Sequence, residues 1–396
     1  MILFVWVLLL FGQEADKTDT LQLQEIQIDA PVYHEYGRGK KHISWKNEDL
    51  KDFNSRSLAA LLAENSSIFV RQYGPGMLAS PNFRGTSAGH TALFWNGIPL
   101  NSPSLGQSDL AILPLIIADR VDLTFGAGGA LLGNESLGGA IHLSSNPIFN
   151  SSQAFSLTQE FGSFGNHQTG VKGAFSTEKL GFQTKVYFQN NPNEYKYRDL
   201  SEAGFPVKKQ DHAAFIQKGF QQDFLWKINP NQQLKAHYWW NHANREIQPL
   251  MGSSTRDTQS DQSHRLSLQY ISYGKTGILE VQSGWVKDSQ LFNQVQNETS
   301  SLFLNADWTF KQSSNWELRL GSRGSLFSGN LSAYSTVESR LETYQFLNFS
   351  GLKNLDLSFN LRQLHYGNQF VPFIPSLGLD WKLSNAFLVK ASIGKG

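Results

Sequence analysis

Residues that could do chemistry are present in this chain, but not at the spacings chemistry needs. The run Gly126-Ala-Gly-Gly-Ala-Leu-Leu-Gly133 is glycine-rich like a phosphate-binding loop. The Gly133-Asn-Glu-Ser136 that follows has no lysine where such a loop needs one. His237 and His242 have the odd spacing that puts strand residues on opposite faces, so they cannot chelate one metal. Asp257 and Asp261 are too sparse for calcium, which takes several oxygen ligands. No Ser, His and Asp set lies in a supporting motif. The 396 residues include no cysteine, which excludes disulfide staples and thiolate metal sites. The sequence therefore predicts no catalytic residue, no metal centre and no cofactor.

The elements themselves are more informative. Net charge is +1, so no bulk attraction to nucleic acid is implied. Aromatic residues make up 13% and charged residues only 17%, while mean hydropathy is −0.34. Past the N-terminus no run approaches the ~20 apolar residues of a membrane helix. A membrane protein of this kind has to be a barrel, whose strands show lipid only at every second residue. The apolar block from Met1 to Phe11 reads as a signal peptide over 1–12, cleaved after Gly12 or Ala15 and leaving the mature terminus in the periplasm. Residues 13–45 form a polar leader with one alternating run, Leu21-Gln-Leu-Gln-Glu-Ile-Gln-Ile28, which predicts an extended segment.

Residues 46–148 mix short helices and strands, as a compact α+β domain does. Ser57 is placed to cap a helix with Leu58, Leu61 and Leu62 on one face, and residues 110–117 form a second apolar helix candidate. Residues 68–70, 120–125 and 139–144 read as strands. Asn96-Gly97 between two apolar runs predicts a hairpin. From 149 to 396 period-two alternation recurs, as in Leu302, Leu304, Ala306, Trp308 and Phe310, in roughly twelve or thirteen segments of the ~10-residue barrel type. Alternation alone also fits a soluble β-sandwich or propeller. Two loops carry aromatics or charge, at residues 191–198 and 241–248.

Three stretches supply a family resemblance. One runs from Asn82-Phe-Arg84-Gly-Thr through Asn96-Gly97 to Asn101. The others are Arg120-Val-Asp122 and the glycine run that ends at Gly138-Gly139-Ala-Ile141. Together they resemble the plug domain of TonB-dependent outer-membrane receptors, nearest the branch that takes up cobalamin and ferric siderophores. The resemblance implies an α+β plug followed by an antiparallel transmembrane β-barrel. About half of a 22-stranded barrel is present, open in this chain, and a C-terminal truncation is expected.

The resemblance also implies roles. Residues Glu25, Ile26, Gln27, Ile28, Asp29 and Ala30 would be the TonB box, a strand added to the sheet edge of the inner-membrane energy transducer TonB. Tyr73, Met77, Leu78, Ser104, Leu105 and Gln107 would lie in apex loops that touch substrate. Arg84, Arg120 and Asp122 match positions of a charged latch between plug and barrel. Phe125 and Gly126-Ala127 depart from that pattern, and a pair steadying a strand end is the alternative for Arg120 and Asp122. The implied activity is energised uptake of a scarce, bulky metal chelate, with outer-membrane lipid, and in some systems a surface lipoprotein, as further partners. A passive porin, a surface adhesin and a carbohydrate-uptake receptor are the rival readings.

Overall fold

The structure, a computed structural model, describes residues 36–395 except 75, 134, 148, 150–152, 312–314 and 368. The signal peptide and TonB box expected at 1–30 lie outside the described residues.

The plug sheet opens with β1 (His42–Lys46), four residues before the expected boundary at 46. Helix α1 (Asn47–Leu50) follows, with Asp49 accepting the Lys46 amide at 2.9 Å. The expected helix is α2 (Leu58–Asn65), and Leu58, Leu61 and Leu62 are buried on one face. Ser57 is its N-cap residue, but the hydroxyl makes no cap bond; the Ser57 carbonyl accepts from Ala60 and Leu61 instead. Next come β2 (Phe69–Gln72), β3 (Ala79–Asn82), β4 (Thr91–Trp95) and β5 (Ile98–Pro99). The β4–β5 turn has φ 44° at Asn96 and 82° at Gly97, the positive pair that makes Asn-Gly the favoured hairpin dipeptide.

The second expected helix is corrected. Residues 110–117 form two 3₁₀ turns, Leu110–Ile112 and Leu115–Ile117. Pro114 separates them because it has no N–H to continue a helix. The freed Leu113 carbonyl accepts from Leu58 at 2.8 Å. Strand β6 (Arg120–Phe125), helix α3 (Gly129–Leu132) and strand β7 (Gly139–Ser144) complete the plug. The sheet runs β1-β6-β7-β4-β5, with β4 and β7 parallel. Leu61, Leu93, Trp95, Val121, Leu123 and Ile141 fill its core.

The wall is one antiparallel meander. Its first part holds β8 (Ala154–Phe161), β9 (His167–Ser176) and β10 (Leu180–Asn191), then a small ribbon of β11 (Lys196–Arg198) and β12 (Val207–Lys209). The long strands are β13 (Phe215–Asn229), β14 (Gln232–Glu246), β15 (Thr258–Tyr273), β16 (Gly277–Phe292), β17 (Val295–Lys311), β18 (Trp316–Asn330) and β19 (Ser335–Leu352). The last are β20 (Leu355–Tyr366), β21 (Gln369–Phe370), β22 (Ile374–Lys382) and β23 (Leu388–Gly394). The sheet counts 14 strands, with β21 off the main path, and it is open, with β8 and β23 as its edges.

Alternation sorts the wall into two faces. In β17, Leu302, Leu304, Ala306, Trp308 and Phe310 are exposed, while Ser301, Phe303, Asn305, Asp307 and Thr309 are buried toward the plug. An apolar outer face with a largely polar inner face is what a barrel between lipid and a wet lumen requires. His237 is buried on the inner face and His242 lies on the outer one. The second expected loop is corrected too: β14 continues to Glu246, and Asn241, Ala243 and Arg245 keep the inward phase.

Candidate functional site

Both apex loops stand at one end of the wall. That end carries the long connections 192–214 and 247–257, while the turns at 177–179, 230–231 and 353–354 at the other end are tight. Long connections mark the extracellular side of such barrels.

The first apex loop closes by Met77 N–H to the Gly74 carbonyl (3.1 Å), with Gly74 and Gly76 at positive φ. Tyr73 is exposed and stacks under Arg71 at 4.9 Å; Leu78 is partly exposed. Met77 is buried. The second loop is held by Asn101, which donates to the Thr91 carbonyl (2.9 Å) and accepts from Leu93 N–H (2.8 Å). Ser104, Leu105 and Gln107 of this loop line a cavity of about 280 Å³. The wall supplies its other side through Asn241, Gln262, Ser263, Asp288 and Gln290. The structure thus brings Ser104, Leu105 and Gln107 into one cavity and leaves Tyr73 and Leu78 outside its lining.

Arg245 ties these parts together. It donates to Asp109 at 2.8 Å, to the Gly76 carbonyl at 3.3 Å and to Asp261 at 2.8 Å. Asp109 in turn accepts from the amides of Ala79 and Ala111, at 3.0 and 2.9 Å. One guanidinium therefore fixes both apex loops to the wall.

A second junction lies deeper. Asp119, just before β6, takes Lys172 at 2.5 Å and Lys185 at 3.1 Å. Lys185 is fully buried, 4.0 Å from Asp223, and donates to the Ile117 carbonyl at 2.9 Å. Burial raises the Asp119 pKa, but Lys185 and Lys172 outweigh it and hold the carboxyl below its ordinary range. Asp223 also accepts from Ser145 at 3.0 Å and meets His237 at 2.8 Å. A third junction joins Arg362 to the carbonyls of Ala130 (3.0 Å) and Leu131 (2.8 Å). Lys40, at the plug base, donates to the Ala127 carbonyl, and burial pushes its pKa down to about 8.

The residues expected to form the latch, Arg84, Arg120 and Asp122, lie in the plug. Arg84 is exposed at φ 49° and makes no ion pair among the described residues. Arg120 grips Asp122 within β6 at 2.7 Å, and Ser44 on β1 joins them. The ion pairs at Arg245, Lys172 and Lys185 set plug acids against wall cations, whereas Arg38, ahead of β1, pairs with Asp356 and Asp380 of the wall in the opposite sense. Sequence reasoning missed Asp109, Asp119, Lys172, Lys185, Arg245 and Arg362. The available signal was a charge on the inward phase of a wall strand, where burial demands a partner.

Comparison with known proteins fits this geometry. The TonB-dependent Receptor Plug Domain family matches residues 42–140. The vitamin B12 transporter BtuB of Vibrio vulnificus is 23% identical over 163 residues, which covers 40% of this chain and 26% of that protein. BtuB of Vibrio cholerae is 31% identical over 97 residues, 24% of this chain and 16% of that one. The ferric enterobactin receptor of Pseudomonas aeruginosa superimposes with a TM-score of 0.71 at 14% identity, over 89% of this chain and 61% of that structure. The ferripyoverdine receptor of the outer membrane of the same organism gives 0.69 at 14%, over 88% and 56%. The chain spans about three fifths of the solved receptors it matches. Residues 42–140 thus match the plug-domain family, and the fold is that of TonB-dependent receptors, a plug followed by a large antiparallel sheet that is open here.

Proposed function

We propose that this receptor takes up a scarce, bulky chelate, a ferric siderophore or cobalamin, with work supplied by TonB through residues 25–30. The observation that carries the reading is the cavity between the second apex loop and the wall at the extracellular end. Substrate in that cavity touches Ser104, Leu105 and Gln107 of the plug and Ser263 and Gln290 of the wall at once. Binding is thereby coupled to how the plug sits, and only a ligand with different affinities for two plug positions can shift between them. Tyr73 and Leu78 offer further contact area above the cavity, while Met77 supports the loop from below. A mechanical pull has to come from the other end, because the outer face of the receptor meets only solvent. The plug's first strand, β1, is an edge strand of its sheet, so load from the leader reaches the sheet at a single pairing with β6.

The experiment is deletion of residues 25–30 in the receptor. Binding of a labelled corrinoid or ferric chelate is expected to be unchanged while uptake stops. Uptake at the unmodified rate after the deletion would remove the docking role.

A further inference from the structure

The cavity at the plug apex is biased in charge. Its lining holds three carboxylates, Asp109, Asp261 and Asp288, and one guanidinium, Arg265. No lysine or histidine joins them among the described residues. Arg245 stands behind the lining, so two arginines answer three acids. The volume, about 280 Å³, lies below the ~300–1,000 Å³ of a pocket that encloses a whole small ligand. It therefore admits one arm of a bulky chelate and not its body.

Neither arginine offers that arm a free donor. The terminal nitrogens of Arg245 are engaged by Asp109, Asp261 and the Gly76 carbonyl. Arg265 is buried and stacks over the Trp239 ring at 4.2 Å. Its Nη1 donates to Ser263 at 2.7 Å, and its Nη2 reaches Asp288. The Nε of each arginine is sealed from solvent.

Two of the three acids are also saturated. Asp109 accepts from Arg245 and from the amides of Ala79 and Ala111. Asp261 accepts from Arg245 at 2.8 Å, Gln259 at 2.9 Å and Gln290 at 3.2 Å. Asp288 is different. It faces Ser263 across the β15–β16 pairing, and its side chain is 30% exposed. Its one hydrogen bond or ion pair among the described residues comes from Arg265 at 3.5 Å. That is long against the ~2.7–2.9 Å of a good charge-assisted bond. A carboxylate has about four acceptor sites, so most of its capacity is left for an occupant of the cavity.

An anionic arm entering here would shed its water, find no free cation and meet an unanswered carboxylate. Like charges so placed cost several kcal/mol, and such repulsion is a means of specificity. An ammonium or an amide N–H would instead complete the Asp288 acceptor set.

We propose that Asp288 sets the charge specificity of this cavity. It accepts a hydrogen bond from an ammonium or amide N–H on one arm of an electroneutral or cationic chelate, and it turns away chelates with anionic arms. The inference rests on the cavity being the substrate site, as proposed above.

Titration of the receptor purified from outer membranes tests this with two matched pairs of probes. One pair is a corrinoid with its side-chain amides intact and the same corrinoid with those amides hydrolysed to carboxylates. The other is the ferric complex of a linear trihydroxamate that ends in an ammonium, and its succinylated form, which ends in a carboxylate. In whichever scaffold binds, the amide or ammonium form should bind at least about tenfold more tightly, about 1.4 kcal/mol. Asp288→Asn should bring the two members of the pair close to equal affinity, and Asp288→Lys should reverse their order. Heat-modifiable migration checks that each variant folds. If neither variant passes, the unmodified receptor is read at ~0.01 and ~1 M ionic strength, where screening should shrink the preference. Equal or tighter binding of the carboxylate forms by the unmodified receptor overturns the proposal. So does an equal loss of both members in Asp288→Asn, which would leave Asp288 only the task of holding Arg265. A preference that salt does not change overturns it as well. Failure of the folded receptor to bind any of the four probes removes the uptake reading itself, and this proposal with it.

Discussion

The interior of the plug and the contact between plug and wall are built from different chemistry. Inside the plug, Leu58, Leu61, Leu62, Val121, Leu123 and Ile141 are buried together in one apolar cluster. At the wall, Leu131 packs with Tyr344 and Phe346, and in a second apolar patch Trp95 meets Trp239 with ring centroids 5.7 Å apart and Ile98 lies on Gly284. A Cβ on Gly284 would come within 2.3 Å of Ile98, so this approach needs glycine. Around that patch the contact is ionic and hydrogen-bonded, through Arg245, Lys172, Lys185, Gln217, Gln221 and Arg362. Water can replace an ordinary hydrogen bond at a net cost of only about 0.5–1.5 kcal/mol. Water cannot replace an apolar core, which loses about 25 cal/mol for each Å² exposed. The difference teaches that the plug is made to stay folded as a unit longer than it is made to stay seated.

The largest expected effect breaks the seat at its buried charge. Lys185→Met leaves Asp119 and Asp223 without their shared cation, and removing one partner of a buried pair costs about 3–5 kcal/mol. Leakage of a bulky antibiotic through the receptor should rise, while protease resistance of the plug core stays the same. Equal loss of both would mean that seat and core are one unit.

Next is the core itself. Leu61→Ala should destabilise the plug by about 2–4 kcal/mol, as buried leucine truncations do. Protease sensitivity within residues 42–144 should appear, with heat-modifiable migration of the barrel unchanged.

The pH dependence sharpens the same distinction. Asp119 has a depressed pKa when the plug is seated, so its contribution is present above the ordinary carboxylate range and is lost as pH falls through the seated value. Acid should therefore unseat the plug before it unfolds the core, and Asp119→Asn should remove that step. Leakage followed during acid titration would show a single common transition if the idea is wrong.

The smallest effect concerns the exposed apex. Leu105→Ala and Gln107→Ala should each weaken substrate binding by about 1–2 kcal/mol, without any change in seating. Met77→Ala, at a buried position, should act on loop stability instead. Titration calorimetry with the transported chelate separates the two; unchanged affinity in both cavity variants would move the binding site off the second apex loop.

Much of this was legible in the residues. Alternation in Leu302–Phe310 identified a wall strand, and Asn96-Gly97 identified the plug hairpin, because both signals are local and follow from backbone geometry. The helix expected at 110–117 was misread because its apolar run outweighed Pro114. The loop expected at 241–248 was misread because polar inward residues of a plugged barrel look like loop residues. Arg84 matches a family position and lies exposed in a turn, while the ion pairs seen between plug and wall use Asp109 and Asp119.

By itself the sequence determined the order of elements, the two faces of each wall strand and the plug motif, since each depends on neighbours a few residues apart. Only the tertiary structure decided which charges meet. Arg245 reaches Asp109 across 136 positions and Lys185 reaches the Ile117 carbonyl across 68. No periodicity encodes such pairs. They follow from how the plug seats against the wall, where low dielectric obliges each buried charge to find a partner.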